Sequence, residues 1–182
     1  MQEFILVVNK FIPPDYCKKI IDYFGQDLSV ASTVGGLDRN IRNCETKDIL
    51  NPTTFGQQLM TKFVQSKIFQ IAEIYKNKIH DRMDIEKISQ CDILRYEANS
   101  YKVGYDYHVD MGHTCESRQV SISVCLNNDF TGGEFEFNLS GNIVQYPQNV
   151  GDVIAFPSNF LYPHKVNKIL TGTRYALVSW VV

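Results

Sequence analysis

From residue 120 the chain alternates. Val120, Ile122, Val124 and Leu126 are apolar, and Ser121, Ser123 and Cys125 fall between them. A period of two places the two sets on opposite faces of a strand. Phe135, Phe137 and Leu139 repeat the pattern, with Thr131-Gly132-Gly133 as a turn before them and Gly141-Asn142 as a tight hairpin after them. The segments "GDVIAFP", "PHKVNKI" and "TRYALVSWVV" read as further strands. Roughly seven short strands closely spaced by turns predict an antiparallel sandwich or barrel.

Upstream the period changes. Residues 4–8 read as a short strand, and Pro13-Pro14-Asp15 opens a helix through "YCKKIIDYF". Asn51-Pro52 starts the one long helical pattern, whose stripe of Phe55, Leu59, Phe63, Ile68, Ile71, Tyr75 and Ile79 is expected to pack on a sheet. Between the helices, residues 29–46 are rich in Ser, Thr, Gly and Asn and predict a loop or a mobile ribbon. Helices first and strands after predict an α+β chain, mainly β, with helices buttressing one sheet. We expect one domain over 1–182, with 1–87 as helical support and 88–182 as the β core.

Composition narrows the function. A chain of 182 residues builds one sizeable core, and 44% apolar against 21% charged residues is globular rather than disordered. The net charge of -2 comes with no basic run, so neither nucleic acid nor an anionic membrane is an expected partner. No stretch approaches the roughly 18 apolar residues of a membrane span. The start lacks a basic n-region and a small-residue cleavage site, and reads as a strand rather than a signal peptide. Cysteines at 17, 44, 91, 115 and 125 are odd in number and form no Cys-x-x-Cys pair, which predicts reduced thiols. Together these predict a cytoplasmic enzyme of bacterial or viral origin.

The candidate chemistry starts at "YHVDMGH", residues 107–113. His108 and Asp110 are two apart, so a strand turns both to one side. Tyr107 and Val109 are then expected on the other. A nitrogen and an oxygen from this pair, with a second histidine, make the two-His-one-carboxylate face that holds Fe(II) and leaves positions open. His113 and His164 are both candidates for the second histidine. His113 would make a cramped loop cluster, whereas His164 opens a separate apolar strand. Ten residues on, Arg174 heads a strand that is otherwise apolar on both faces. A buried guanidinium needs an anion, and its fork suits a carboxylate. An open metal beside a fixed carboxylate receptor fits a dicarboxylic 2-oxo acid.

The order His-x-Asp, a long gap, His and then a basic residue resembles the 2-oxoglutarate/Fe(II)-dependent dioxygenases, and most closely their prolyl 4-hydroxylase branch. The resemblance extends to "ILRYEANSYKVGYDYHVD", "SRQVSISVCLNNDFTGGEFEF", "GDVIAFPS", "PHKV", "GTRYALVSWV" and the opening "VVNKFIPPDYCKKII". It covers most of 4–24 and 88–182. It implies a double-stranded β-helix (jelly-roll) core. It implies Fe(II) held by His108, Asp110 and His164, with Arg174 on the distal carboxylate of 2-oxoglutarate and Tyr96 hydrogen-bonded to the same cosubstrate. The implied reaction consumes O2, with ascorbate as a candidate reductant, and releases succinate and CO2 as a C–H bond is hydroxylated. The implied substrate is a prolyl residue of a peptide or protein, with a free amino acid or other small molecule as the alternative and a non-catalytic jelly-roll binding protein as a further one. One departure stands out: relatives often carry a cosubstrate-contacting tyrosine where this chain has Cys125.

Several residues are expected around that site. Trp180 shares the Arg174 face, and Tyr101, Tyr105 and Tyr107 suggest a rim. Residues 29–46 are a candidate lid, with Gly35-Gly36 as its hinge and Arg42 reaching the site mouth. His80 and His113 are expected at the surface.

Overall fold

The computed structural model describes residues 1–33, 36–79, 83–98, 103–112, 115 and 117–182. After a short 3-10 turn at Gln2–Phe4, the elements run β1 (Leu6–Val8), α1 (Pro14–Phe24), β2 (Ser29–Val30), β3 (Arg42–Asn43), β4 (Glu45–Asp48) and α2 (Phe55–Ile79). The second half is β5 (Ile88–Glu97), β6 (Gly104–His108), β7 (Val120–Cys125), β8 (Phe130–Gly132), β9 (Phe135–Leu139), β10 (Asn142–Tyr146), β11 (Val153–Pro157), β12 (His164–Val166) and β13 (Ile169–Val181). They form two antiparallel sheets. The larger has the order β1-β11-β7-β13-β5-β4-β2, and the smaller β10-β9-β12-β6-β3. This is the expected jelly roll, mainly β, with both helices packed on the larger sheet.

Two cores lie on the two faces of that sheet. Outside it, Cys17, Ile20 and Phe24 of α1 and Val64, Ile68, Ile71 and Ala72 of α2 pack on Ile93, Ile122, Val124 and Leu177. Between the sheets, Leu94, Tyr96, Ile154 and Phe156 meet Phe135, Phe137 and Val166. The polar face of β7 does not see solvent. Ser121 and Ser123 are 2% and 3% exposed and face the space between the sheets. Alternation reports two faces; it does not say that the polar one is wet.

Three expectations need correction. The α2 stripe is rotated: Phe55 and Leu59 are 73% and 54% exposed, and the buried face is Met60, Val64, Ile68, Ile71, Ala72 and Tyr75. Phe63 goes sideways to stack on Tyr16 of α1, with ring centroids 4.3 Å apart. The 29–46 segment is not simply a loop. Its ends form β2, β3 and β4, which extend both sheets through pairs such as Arg42↔Tyr105 and Thr46↔Leu94. Finally, the β9–β10 turn is centred on Ser140-Gly141, because Leu139 pairs Asn142 and both turn residues have positive φ, 56° and 89°.

Gly151 fixes how α1 approaches the sheet. Its φ is +82°, and a Cβ there would sit 2.0 Å from the Ile12 carbonyl oxygen, whose residue donates its own N–H to the Gly151 carbonyl at 3.1 Å. Gly151→Ala should therefore cost on the order of 3 kcal/mol. A fall in the urea midpoint at unchanged slope would register it; a midpoint equal to that of the natural protein would refute the argument.

Candidate metal centre

β6 and β12 lie side by side in the smaller sheet, and their register puts His164 opposite His108. The two imidazoles are 4.2 Å apart between centroids. The chain leaves β6 directly after His108, and Asp110 falls between the rings: Oδ1 is 3.7 Å from His108 Nε2 and Oδ2 is 3.6 Å from His164 Nε2. One donor atom from each of the three lies within 4.8 Å of the others.

The backbone sets which ring nitrogen faces the centre. His108 Nδ1 is 2.8 Å from the Asp106 carbonyl, and His164 Nδ1 is 3.0 Å from the Tyr162 carbonyl. A carbonyl only accepts, so each Nδ1 carries the proton and each Nε2 presents a lone pair. Burial, and then the neighbouring His164, push the His108 pKa down to about 3, which keeps the ring neutral. Burial alone would raise the Asp110 pKa, but His164 and His108, followed by Ser121 and Trp180, hold it below the ordinary carboxylate value. Two imidazoles, each presenting Nε2, and one carboxylate are the donor set that suits Fe(II) with open positions. The chain's own residues fit such an ion.

Around these groups the rings are fixed by packing. Tyr105 stacks on His108 at 3.5 Å, and Phe135 stacks on His164 at 5.1 Å with Phe156 edge-on at 4.7 Å. A cavity of about 370 Å3 opens in front of the triad. Its wall includes Tyr96, Trp180 and Arg42, as expected for Trp180 and Arg42. Tyr105 also lines it, but Tyr107 turns away, with its hydroxyl on Glu136 and Lys165 Nζ over its ring. Val109 lines the cavity instead of the opposite face, because alternation ends with β6 at His108. The expectations for Gly35, His80, Tyr101 and His113 fall outside the described residues.

Arg174 is 1% exposed and lies beside Tyr96, its partner across β13 and β5, with Cζ 5.5 Å from the ring. It is not itself a lining residue; Tyr96 is. Burial pushes the Tyr96 hydroxyl well above its usual pKa, so it is neutral, and it hydrogen-bonds the Cys44 side chain. Cys125 is near enough for Arg174 to temper its burial-raised pKa, and its thiol donates to the Asn127 carbonyl at 3.1 Å.

Two cavity residues went unread in the sequence. Arg118 donates to the Asp110 carbonyl at 3.1 Å and to Gln90 Oε1 at 2.6 Å, and its guanidinium lies 3.8 Å from the Trp180 ring centroid. It therefore ties the loop bearing Asp110 to the sheet. Asp92 is 5% exposed, accepts from Gln90 Nε2 at 2.7 Å, and lines the same cavity. Counting in twos from Tyr96 along β5 reaches Leu94, Asp92 and Gln90, so alternation held the signal for Asp92.

Both the sequence and the fold are similar to those of known proteins. The sequence model of the 2OG-Fe(II) oxygenase superfamily matches residues 91–182, just over half of the chain. A PKHD-type hydroxylase of Colwellia psychrerythraea is 33% identical over 84 residues, which are 43% of this chain and 37% of that protein. PKHD-type hydroxylase IL0759 of Idiomarina loihiensis is 22% identical over 97% of this chain and 77% of its own length. Among solved structures, a Trichoplax adhaerens prolyl hydroxylase in complex with a hypoxia inducible factor oxygen degradation domain peptide superposes with a TM-score of 0.82 at 17% identity, covering 98% of this chain and 83% of that one. A Pseudomonas putida prolyl-4-hydroxylase gives 0.76 at 19% identity, over 98% and 92%. These structures share the fold. No helix among the described residues is long and apolar enough to cross a membrane.

Proposed function

The chain belongs to the 2OG-Fe(II) oxygenase superfamily, and on that premise we propose that it hydroxylates an unactivated C–H bond of a prolyl residue in a peptide or protein, releasing succinate and CO2. The observation that carries the reading is the triad itself: His108 and His164 turn their Nε2 atoms toward the Asp110 carboxylate, at the wall of a cavity that Tyr96 also lines, with Arg174 beside the Tyr96 ring.

In this reading His108, Asp110 and His164 hold Fe(II), which with 2-oxoglutarate and O2 supplies the oxidising chemistry. The protein's part is placement and shielding. The Asp106 and Tyr162 carbonyls keep both rings in the metal-binding tautomer. Arg174 binds the distal carboxylate of 2-oxoglutarate, and the neutral Tyr96 hydroxyl donates a hydrogen bond to the same cosubstrate. Phe135 and Phe156 keep water from the His164 side of the centre. The relatives and neighbours named as hydroxylases, two of them prolyl hydroxylases, support the reaction class.

One observation favours a second reading, a free amino acid as substrate. Arg42 and Asp92 line the same cavity with opposite charges, and no ion pair joins them among the described residues. A small zwitterion would match both.

Anaerobic addition of Fe(II) and then 2-oxoglutarate should produce a weak visible charge-transfer band. Under air, succinate formation should rise with proline-containing peptides over the level without substrate. Lack of the band in the natural protein would sink the assignment. A rise with free amino acids and none with peptides would select the second reading.

A further inference from the structure

Arg174 is buried, yet no carboxylate among the described residues forms an ion pair with it. Its Nη2 donates to Oε1 of Gln148 at 2.9 Å. That amide satisfies one N–H and neutralises nothing, so the desolvation of the charge is left uncompensated. Two donors at this spot, Arg174 Nε and Gln148 Nε2, are buried without a hydrogen-bond partner among the described residues.

The surroundings hold the guanidinium still. A Cβ on Gly133 would come 3.0 Å from Arg174 Cδ, so the glycine lets the backbone close on the arginine stem. The rings of Tyr96 and Phe130 lie 5.5 and 6.0 Å from Cζ. Cys125 occupies the neighbouring position on β7, but its thiol is committed to the Asn127 carbonyl. A thiol is in any case a weak donor. A carboxylate on Arg174 has several lone-pair sites, and one guanidinium edge does not fill them all.

We propose that Gln148 is the second binding residue for the distal carboxylate of 2-oxoglutarate: Oε1 anchors the Arg174 fork, and Nε2 donates to the carboxylate where Cys125 offers nothing. The inference rests on the reading that Arg174 receives that carboxylate. Gln148 sits on the connection between β10 and β11, outside the segments that carry the triad, so its effect on binding is separable from metal binding.

The test compares two 2-oxo acids that share the metal-binding head. 2-Oxoglutarate has the distal carboxylate and 2-oxobutanoate lacks it. Each is titrated anaerobically into the Fe(II)-loaded natural protein, Gln148→Ala and Gln148→Glu, with the visible band as readout. Loss of one hydrogen bond to a charged group should raise the Kd for 2-oxoglutarate about 10- to 100-fold in Gln148→Ala. Gln148→Glu should weaken it further, since its own carboxylate takes the arginine. The Kd for 2-oxobutanoate should not move in either variant. Unchanged or tighter 2-oxoglutarate binding by Gln148→Ala overturns the proposal, and so does equal weakening toward both acids, which would mark a structural role. No band from the natural protein with either acid would instead overturn the functional reading beneath it.

Discussion

Asp110→Ala should give a folded protein that no longer retains a divalent metal, forms no visible band with 2-oxoglutarate, and has no measurable turnover. The expectation follows from what Asp110 supplies. It is the only anion in the triad, placed within 3.7 Å of both Nε2 atoms, and burial holds the His108 imidazole neutral. Removing it leaves the ion two imidazole donors and no charge compensation. Loss of an outer-shell partner alone costs a metal site roughly 10- to 100-fold in affinity, and loss of this ligand should exceed that. Folding should survive, because the His108 and His164 rings remain fixed by their carbonyl bonds and by Tyr105 and Phe135. Anaerobic metal titration followed by desalting measures the effect. Stoichiometric Fe(II) in Asp110→Ala would show that the ion sits elsewhere.

Much of this centre was legible because its residues stand in a fixed order at telling spacings, even though β6 ends at His108 and Asp110 lies just beyond it. His108 and Asp110 are two apart, His164 starts a separate strand, and Arg174 interrupts an apolar face. The order of those four residues survives whatever the loops between them do. Legibility stopped where a side chain's fate depends on partners distant in sequence. The β7 serines look like a solvent face until β13 and the smaller sheet are in place to enclose them. The phase of α2 is set by α1, which draws Phe63 to Tyr16 and leaves Phe55 and Leu59 outside. The 29–46 segment has loop composition, and only existing edges at β5 and β6 let its ends pair as strands. Gln148 carries no pattern at all. It is one polar residue in a connection, and its position beside Arg174 comes from the β10–β11 crossover between sheets.

Arg174→Ala should separate the two halves of the site that Asp110→Ala destroys together. Metal affinity should hold, because the Arg174 side chain donates to Gln148 and not to any residue of the triad. Binding of 2-oxoglutarate should weaken by about 2–5 kcal/mol, the cost of removing one side of a desolvated charge pair, or roughly 30- to several-thousand-fold in Kd. Arg174→Lys should fall between, since it restores the charge without the planar fork. Stability gives a second readout. A ligand that binds only the folded state adds RT ln(1 + [L]/Kd). The metal-loaded natural protein should therefore gain thermal stability from 2-oxoglutarate, and Arg174→Ala should lose that gain at the same concentration. The unliganded variant should not be much weakened, because the arginine it lacks is buried without a carboxylate partner among the described residues and is itself a cost before the cosubstrate arrives. An arginine that served only the fold would behave in the opposite way: Arg174→Ala would be destabilised without ligand, and its Kd for 2-oxoglutarate would match that of the natural protein.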